Sequence, residues 1–238
     1  MIDEPRSIRI GDRDIPFLLK RSQKRRDVVM TVDQRGLIVS VPWRTSERRI
    51  AAFIEEHGRW VLRKLAAWSR HPVRNAAWQS GDTLRFVGRE LRLEVATAPQ
   101  PAARLLDDNR LLVELRDPAS SKAVQEAVVK WYQRHAQAHF RERLAQLAPR
   151  LGVAVPRLFL SSARTRWGSC NARRQIRLNW RLVQATQPTI DYVAVHELAH
   201  LVEMNHSPRF WALVATACPD YKAACAELNH MGPYYMDI

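Results

Sequence analysis

The stretch "VAVHELAHLVEMNH", Val193 to His206, constrains this chain more than any other. Its apolar residues suit a helix set into a core, yet three histidines and two glutamates interrupt them. His196 and His200 are four residues apart, so on a helix they lie one turn apart on the same face. From there two imidazoles reach a single metal ion at about 2.0–2.1 Å. Glu197 projects about 100° away around the axis. That places it beside such an ion rather than on it, where a carboxylate can polarise a bound water. The bland alternative is a buried helix whose histidines hydrogen-bond to neighbours. It carries a cost, because Glu197 would be desolvated between two unmetallated imidazoles without a partner.

A third protein ligand would complete a site that still leaves one position for water. Two residues compete. Glu203 keeps to the ligand face but stands two turns on, about 10.5 Å of helix rise from His196. His206 follows Asn205, a residue that tolerates the left-handed conformation at a helix end, so the helix is expected to stop there and the chain to turn back. The rise favours His206. Ser207 and Pro208 then suit the N-cap and first position of another helix.

The remaining sequence supplies a frame. "DVVMTV" and "LIVSV" read as two strands around "DQRG", with Gly36 available for positive φ. Ser46 can cap one helix running through "TSERRIAAFIEEHGRWVLRKLAAWSR". Alternating "GDTLRFVGRELRLEVAT" and then "RLLDDNRLLVELRD", turning at Asp107 to Asn109, add further strands. Asp117–Pro118 breaks this pattern, so residues 1–117 are expected to form a β-rich N-terminal region with one helix. Residues 118–238 are expected to form a second domain, opening with the longest helix, "KAVQEAVVKWYQRHAQAHFRERLAQLAPRLG", capped by Ser120 or Ser121. "PRLFLSSARTRWGSC" and "RRQIRLNWRLV" read as strands, and Thr189 is expected to open the histidine helix. No internal repeat is evident.

With 46% hydrophobic and 26% charged residues, the composition is that of a globular protein. No apolar run is long enough to span a bilayer, and the N-terminus lacks the pattern of a signal peptide. Three cysteines without a CxxC pair argue against a disulfide framework, so a cytoplasmic setting is expected. The net charge of +14 admits an anionic partner such as nucleic acid, although most arginines are scattered as on a solvated surface. The dense cluster is "KRSQKRR", Lys20 to Arg26.

"RTRWGSC", "IRLNWRL" and "DYVAVHELAHLVEMNHSPRFW", together spanning Arg164 to Trp211, closely resemble the YgjP-like metallopeptidase family and, more distantly, the SprT-like and WLM zinc metalloproteases. The resemblance implies His196, His200 and His206 as zinc ligands and Glu197 as the catalytic residue. It also implies an α+β, zincin-like region: an active-site helix, a backing helix and a small antiparallel sheet. The histidine spacing matches the metzincins, whose helix-ending glycine is Glu203 here, so the turn is expected at Met204–Asn205. Arg166 and Ser169 are candidates to face the site or hold an oxyanion, and Asn179 and Asp191 to orient the histidines. His230, Tyr234 and Tyr235 are further oxyanion candidates.

The expectation is a zinc-dependent metallopeptidase acting on a protein or peptide. Its rival is a nucleic-acid-associated binding module, or a DNA-associated protease, whose zinc site is structural or vestigial.

Overall fold

The computed structural model describes residues 2–33, 36–69, 76–106 and 108–238. Gln34, Arg35 and Asp107, in two of the expected turns, lie outside these residues. The fold is α+β, and the chain forms two compact units, Met1–Val73 and Arg74–Met236.

In the first unit, strands β1 (Ile2–Ile10), β2 (Arg13–Ser22), β3 (Val29–Asp33) and β4 (Gly36–Pro42) form a sheet in the order β1-β2-β4-β3. The middle pair is parallel, which alternation alone does not reveal. Helices α1 (Glu47–Glu56) and α2 (Gly58–Ser69) cover it, and Leu19, Val39, Val41, Ile50, Ile54 and Val61 close a core. Ser46 caps α1 as expected, its hydroxyl accepting from Arg49 N–H. Two helices stand where one was expected because the chain kinks at His57. A Cβ on Gly58 would lie 2.8 Å from Ile10 Cγ2, so any larger residue would have to push Ile10 aside where α2 starts.

The second unit begins with β5 (Thr83–Phe86), β6 (Arg89–Thr97), β7 (Ala102–Leu105) and β8 (Arg110–Leu115), in the order β5-β6-β8-β7, again with a parallel middle pair. The N-terminal architecture is therefore repeated. Asp117–Pro118 is only the link to α3 (Ser121–Leu147), since Leu91, Leu93, Leu111 and Val113 share one core with Val124, Val128 and Trp131 of that helix. Ser120 caps α3. Strands β9 (Arg157–Ser161), β10 (Gly168–Cys170) and β11 (Gln175–Asn179) make a small sheet ordered β10-β11-β9. It is mixed rather than antiparallel, because the long excursion between β9 and β11 brings them together parallel. Helices α4 (Gln187–Ala199), α5 (Pro208–Ala217) and α6 (Tyr221–Met236) complete the unit.

Helix α4 is buried nearly all round, as the run Ile190, Tyr192 to Val195, Leu198 and Ala199 requires. Both turn residues of the β5–β6 hairpin have positive φ, Val87 at 48° and Gly88 at 76°. This turn docks on the segment that leads into α4: Val87 N–H donates to Val183 O at 2.7 Å, and a Cβ on Gly88 would meet Thr186 at 3.1 Å. Arg143 of α3 forms a bidentate pair with Asp191 at 2.7 and 2.9 Å. Glu227 of α6 accepts from Thr186 N–H at 3.1 Å, Thr189 Oγ1 at 2.7 Å and the Tyr235 hydroxyl at 2.8 Å. A carboxylate there complements the positive end of the helix dipole. Burial raises the Glu227 pKa, but its hydrogen bonds outweigh burial and leave it below its ordinary value.

Candidate metal centre

Helix α4 starts at Gln187, with Thr186 as N-cap, and ends at Ala199, earlier at both ends than the sequence suggested. Its last turn tightens: Leu201 N–H bonds Leu198 O, and both Val202 and Glu203 N–H bond Ala199 O. The chain therefore curls back before Asn205, whose side chain instead accepts from Ser207 N–H at 3.0 Å. Ser207 then caps α5, with Pro208 in its first turn, as expected.

This path carries His206 to the helix histidines. One nitrogen from each of His196, His200 and His206 lies within 4.8 Å of the others. His206 Nε2 and His196 Nε2 face each other at 3.1 Å. Two nitrogens bound tetrahedrally to one ion at about 2.0–2.1 Å stand about 3.3 Å apart, so the spacing suits a shared metal. His200 Nδ1 lies 3.1 Å from the Glu203 carbonyl. Donation there fixes the tautomer and frees Nε2. Glu203 thus enters the centre through its backbone, and its carboxylate is not in the cluster.

Burial, then the charges of His200 and His206, pulls the His196 pKa down to about 4. The His200 pKa is lowered too, chiefly by burial. Neutral imidazoles are the form that binds metal. Phe210 on α5 floors the cluster, its ring centroid 4.6–4.9 Å from those of all three histidines. Sequence reasoning passed over it. The signal was its position, in the first turn of a helix capped directly after His206.

Glu197 is buried, 5% exposed, and its Oε2 has no hydrogen-bond partner among the described residues. Burial drives its pKa up to about 7, opposed by the charge of Arg166. The reason it can sit here is Gly168: a Cβ on that residue would lie 2.4 Å from Glu197 Oε1 and 2.7 Å from Cγ. The glycine of "RTRWGSC" leaves a gap in β10 that admits the carboxylate. An orphan carboxylate oxygen and three converging imidazoles together fit a divalent metal with a water beside it.

Of the other candidates, Arg166 is brought within electrostatic reach of Glu197. Ser169 is not, since it alternates with Gly168 and Cys170, which face Glu197. Asn179 and Asp191 do not orient the histidines. Asn179 is buried and holds the loop before β10, donating to Ala163 O at 2.6 Å and Arg166 O at 3.2 Å. Asp191 is taken up by Arg143 and Gln187. Tyr235 is buried against Glu227 rather than over the centre.

An α+β unit carrying an H-E-x-x-H helix, a returning third histidine and a buried carboxylate has the make-up of a metallopeptidase domain. The chain belongs to the YgjP-like family: the model described as "YgjP-like, metallopeptidase domain" matches residues 26–231. No curated protein and no solved structure matches it. No helix among the described residues is long and apolar enough to cross a membrane.

Proposed function

We propose that the protein is a zinc-dependent peptidase, in which His196, His200 and His206 hold the ion and Glu197 is the general base. The observation that carries this is the pairing of His196 Nε2 and His206 Nε2 at 3.1 Å, with His196 on a helix that also carries Glu197 and its unpartnered Oε2. A zinc ion held there would polarise a scissile carbonyl and acidify a bound water.

The protein's own contribution is proton handling. Glu197, buried on the helix that carries His196 and leads into His200, is placed to take a proton from water and to return it to the leaving amine. Gly168 leaves room for the Glu197 carboxylate, whose unpartnered Oε2 takes the proton. Arg166, on the loop that Asn179 holds, opposes the effect of burial and keeps the ionised form accessible. Strand β10 lies at the sheet edge beside Glu197, where an extended peptide can add as a further strand. The substrate is accordingly a protein or peptide, and the setting we favour is cytoplasmic.

Plasma mass spectrometry of the tag-free protein tests the metal: near-stoichiometric zinc in the wild type and loss in both His196→Ala and His206→Ala. Zinc retained by His206→Ala would overturn the ligand set. Glu197→Gln should keep its zinc and lose at least about 10²-fold in peptide turnover. An active Glu197→Gln would remove Glu197 as the base.

A further inference from the structure

From Arg143 to Ile190 the sequence holds nine arginines and no lysine, aspartate or glutamate, so 48 residues carry +9 of the net +14. Arg143 pairs with Asp191, and Arg181 is buried over the Trp180 ring. Six others, Arg157, Arg164, Arg166, Arg173, Arg174 and Arg177, are exposed, and none forms an ion pair among the described residues. A surface shaped only for solubility intersperses both signs.

Strand register gathers these arginines. Phe159 lies opposite Arg177 and Arg157 opposite Gln175, so Arg157, Phe159 and Arg177 share one face. The other face carries Leu158, Leu160, Ile176 and Leu178 into the core. Both guanidiniums stand over the Phe159 ring, 5.2 and 5.3 Å from its centre. At one end of the strands, Arg157, Arg173 and Arg174 line a recess of about 290 Å³. At the other end, the loop tied by Asn179 presents Arg164 and Arg166. Five-residue strands separate the two ends by about 13 Å.

We propose that this face binds single-stranded nucleic acid, with phosphates on the arginines and bases stacked on the Arg157–Phe159–Arg177 platform. Two flat cations flanking an aromatic ring offer π-surfaces that unpaired bases complement. An acidic peptide would need only the charge, and a duplex hides its base faces. "KRSQKRR" is the weaker candidate, because Arg21 is spent on Thr45 O at 2.7 Å and on Glu47. The proposal does not rest on the peptidase reading, and its test needs no turnover.

The test is fluorescence anisotropy of a labelled oligothymidylate with the full chain across a salt series, each variant checked for folding by circular dichroism. Arg157→Ser with Arg177→Ser should reduce the log–log salt slope by about 1.4, roughly 0.7 for each lost phosphate contact. Phe159→Ala should weaken binding about tenfold without changing the slope, and Phe159→Tyr should retain it. If Phe159→Ala fails to fold, Arg157→Lys with Arg177→Lys, which keeps charge but loses the flat platform, should weaken binding at unchanged slope. Arg25→Ser with Arg26→Ser is the control for net charge, and an equal loss there would overturn the proposal. So would absence of binding at low salt, a preference for duplex, or competition by polyglutamate as effective as that by unlabelled oligonucleotide.

Discussion

The two four-stranded sheets are copies in register. Ile8 faces Ile15 as Leu84 faces Leu91, and Arg9 faces Asp14 as Arg85 faces Glu90. Phe17 pairs with Leu37 as Leu93 pairs with Leu111. Each fourth strand leads to a serine-capped helix, at Ser46 and Ser120, whose first buried pair is Ile50 and Ile54 in one and Val124 and Val128 in the other. The copies diverge a single turn later. In the first, His57–Gly58 breaks the helix against Ile10. In the second, Trp131–Tyr132 stands at the same place: Tyr132 donates to Arg85 O at 2.6 Å, Trp131 packs on Phe86, and α3 continues to Leu147. The sheet is thus a common pedestal. The added turns of α3, through Phe140, Arg143 and Leu144, are what α4 is built against.

The sharpest way to break this comparison is to cut the extension and spare the shared segment. Phe140→Ala should cost about 3–5 kcal/mol and lower zinc retention along with thermal stability. Ile54→Ala, in the shared segment of the first copy, should cost about 2–5 kcal/mol in calorimetry yet leave zinc stoichiometry unchanged. Loss of zinc there would show that the copies are not energetically separate. Arg143→Met strips the pair from half-buried Asp191. A loss of about 1–3 kcal/mol is expected in denaturant titration, with weaker zinc binding. Gly58→Ala forces a Cβ against Ile10 and should cost about 1–3 kcal/mol in the first unit alone.

The smallest effect concerns pH. The Glu227 pKa is lower folded than unfolded, so its contribution is complete above the ordinary carboxylate pKa and is lost as pH falls through the folded value. Glu227→Gln should therefore flatten the acid limb of a melting-temperature profile below about pH 4. An unchanged limb would show that Glu227 does not hold the start of α4 electrostatically.

What the sequence made legible was local. The caps at Ser46, Ser120 and Ser207 and the convergence of three histidines follow from spacings of a few residues. The end of α4 did not, because three backbone bonds tightened the turn before Asn205 could serve as a stop. Nor did the role of Gly168, whose necessity comes from a carboxylate far along the chain. The repeat escaped notice because the copies share register and burial more than identity: Ile15 answers to Leu91 and Asp14 to Glu90, so the relation is in pairing rather than letters. The parallel middle pairs escaped for a similar reason, since alternation reports which face a residue takes and says nothing of its partner strand.

Helix α4 is held at its start by Arg143 and Glu227, which reach it from two other helices, and its last turn carries histidines that meet one from the next segment. A helix pinned at both ends and buried between has no route to open by fraying. Its central amides, Val193 to Val195, should exchange with solvent deuterium only when the whole second unit unfolds, and so report that unit's full stability.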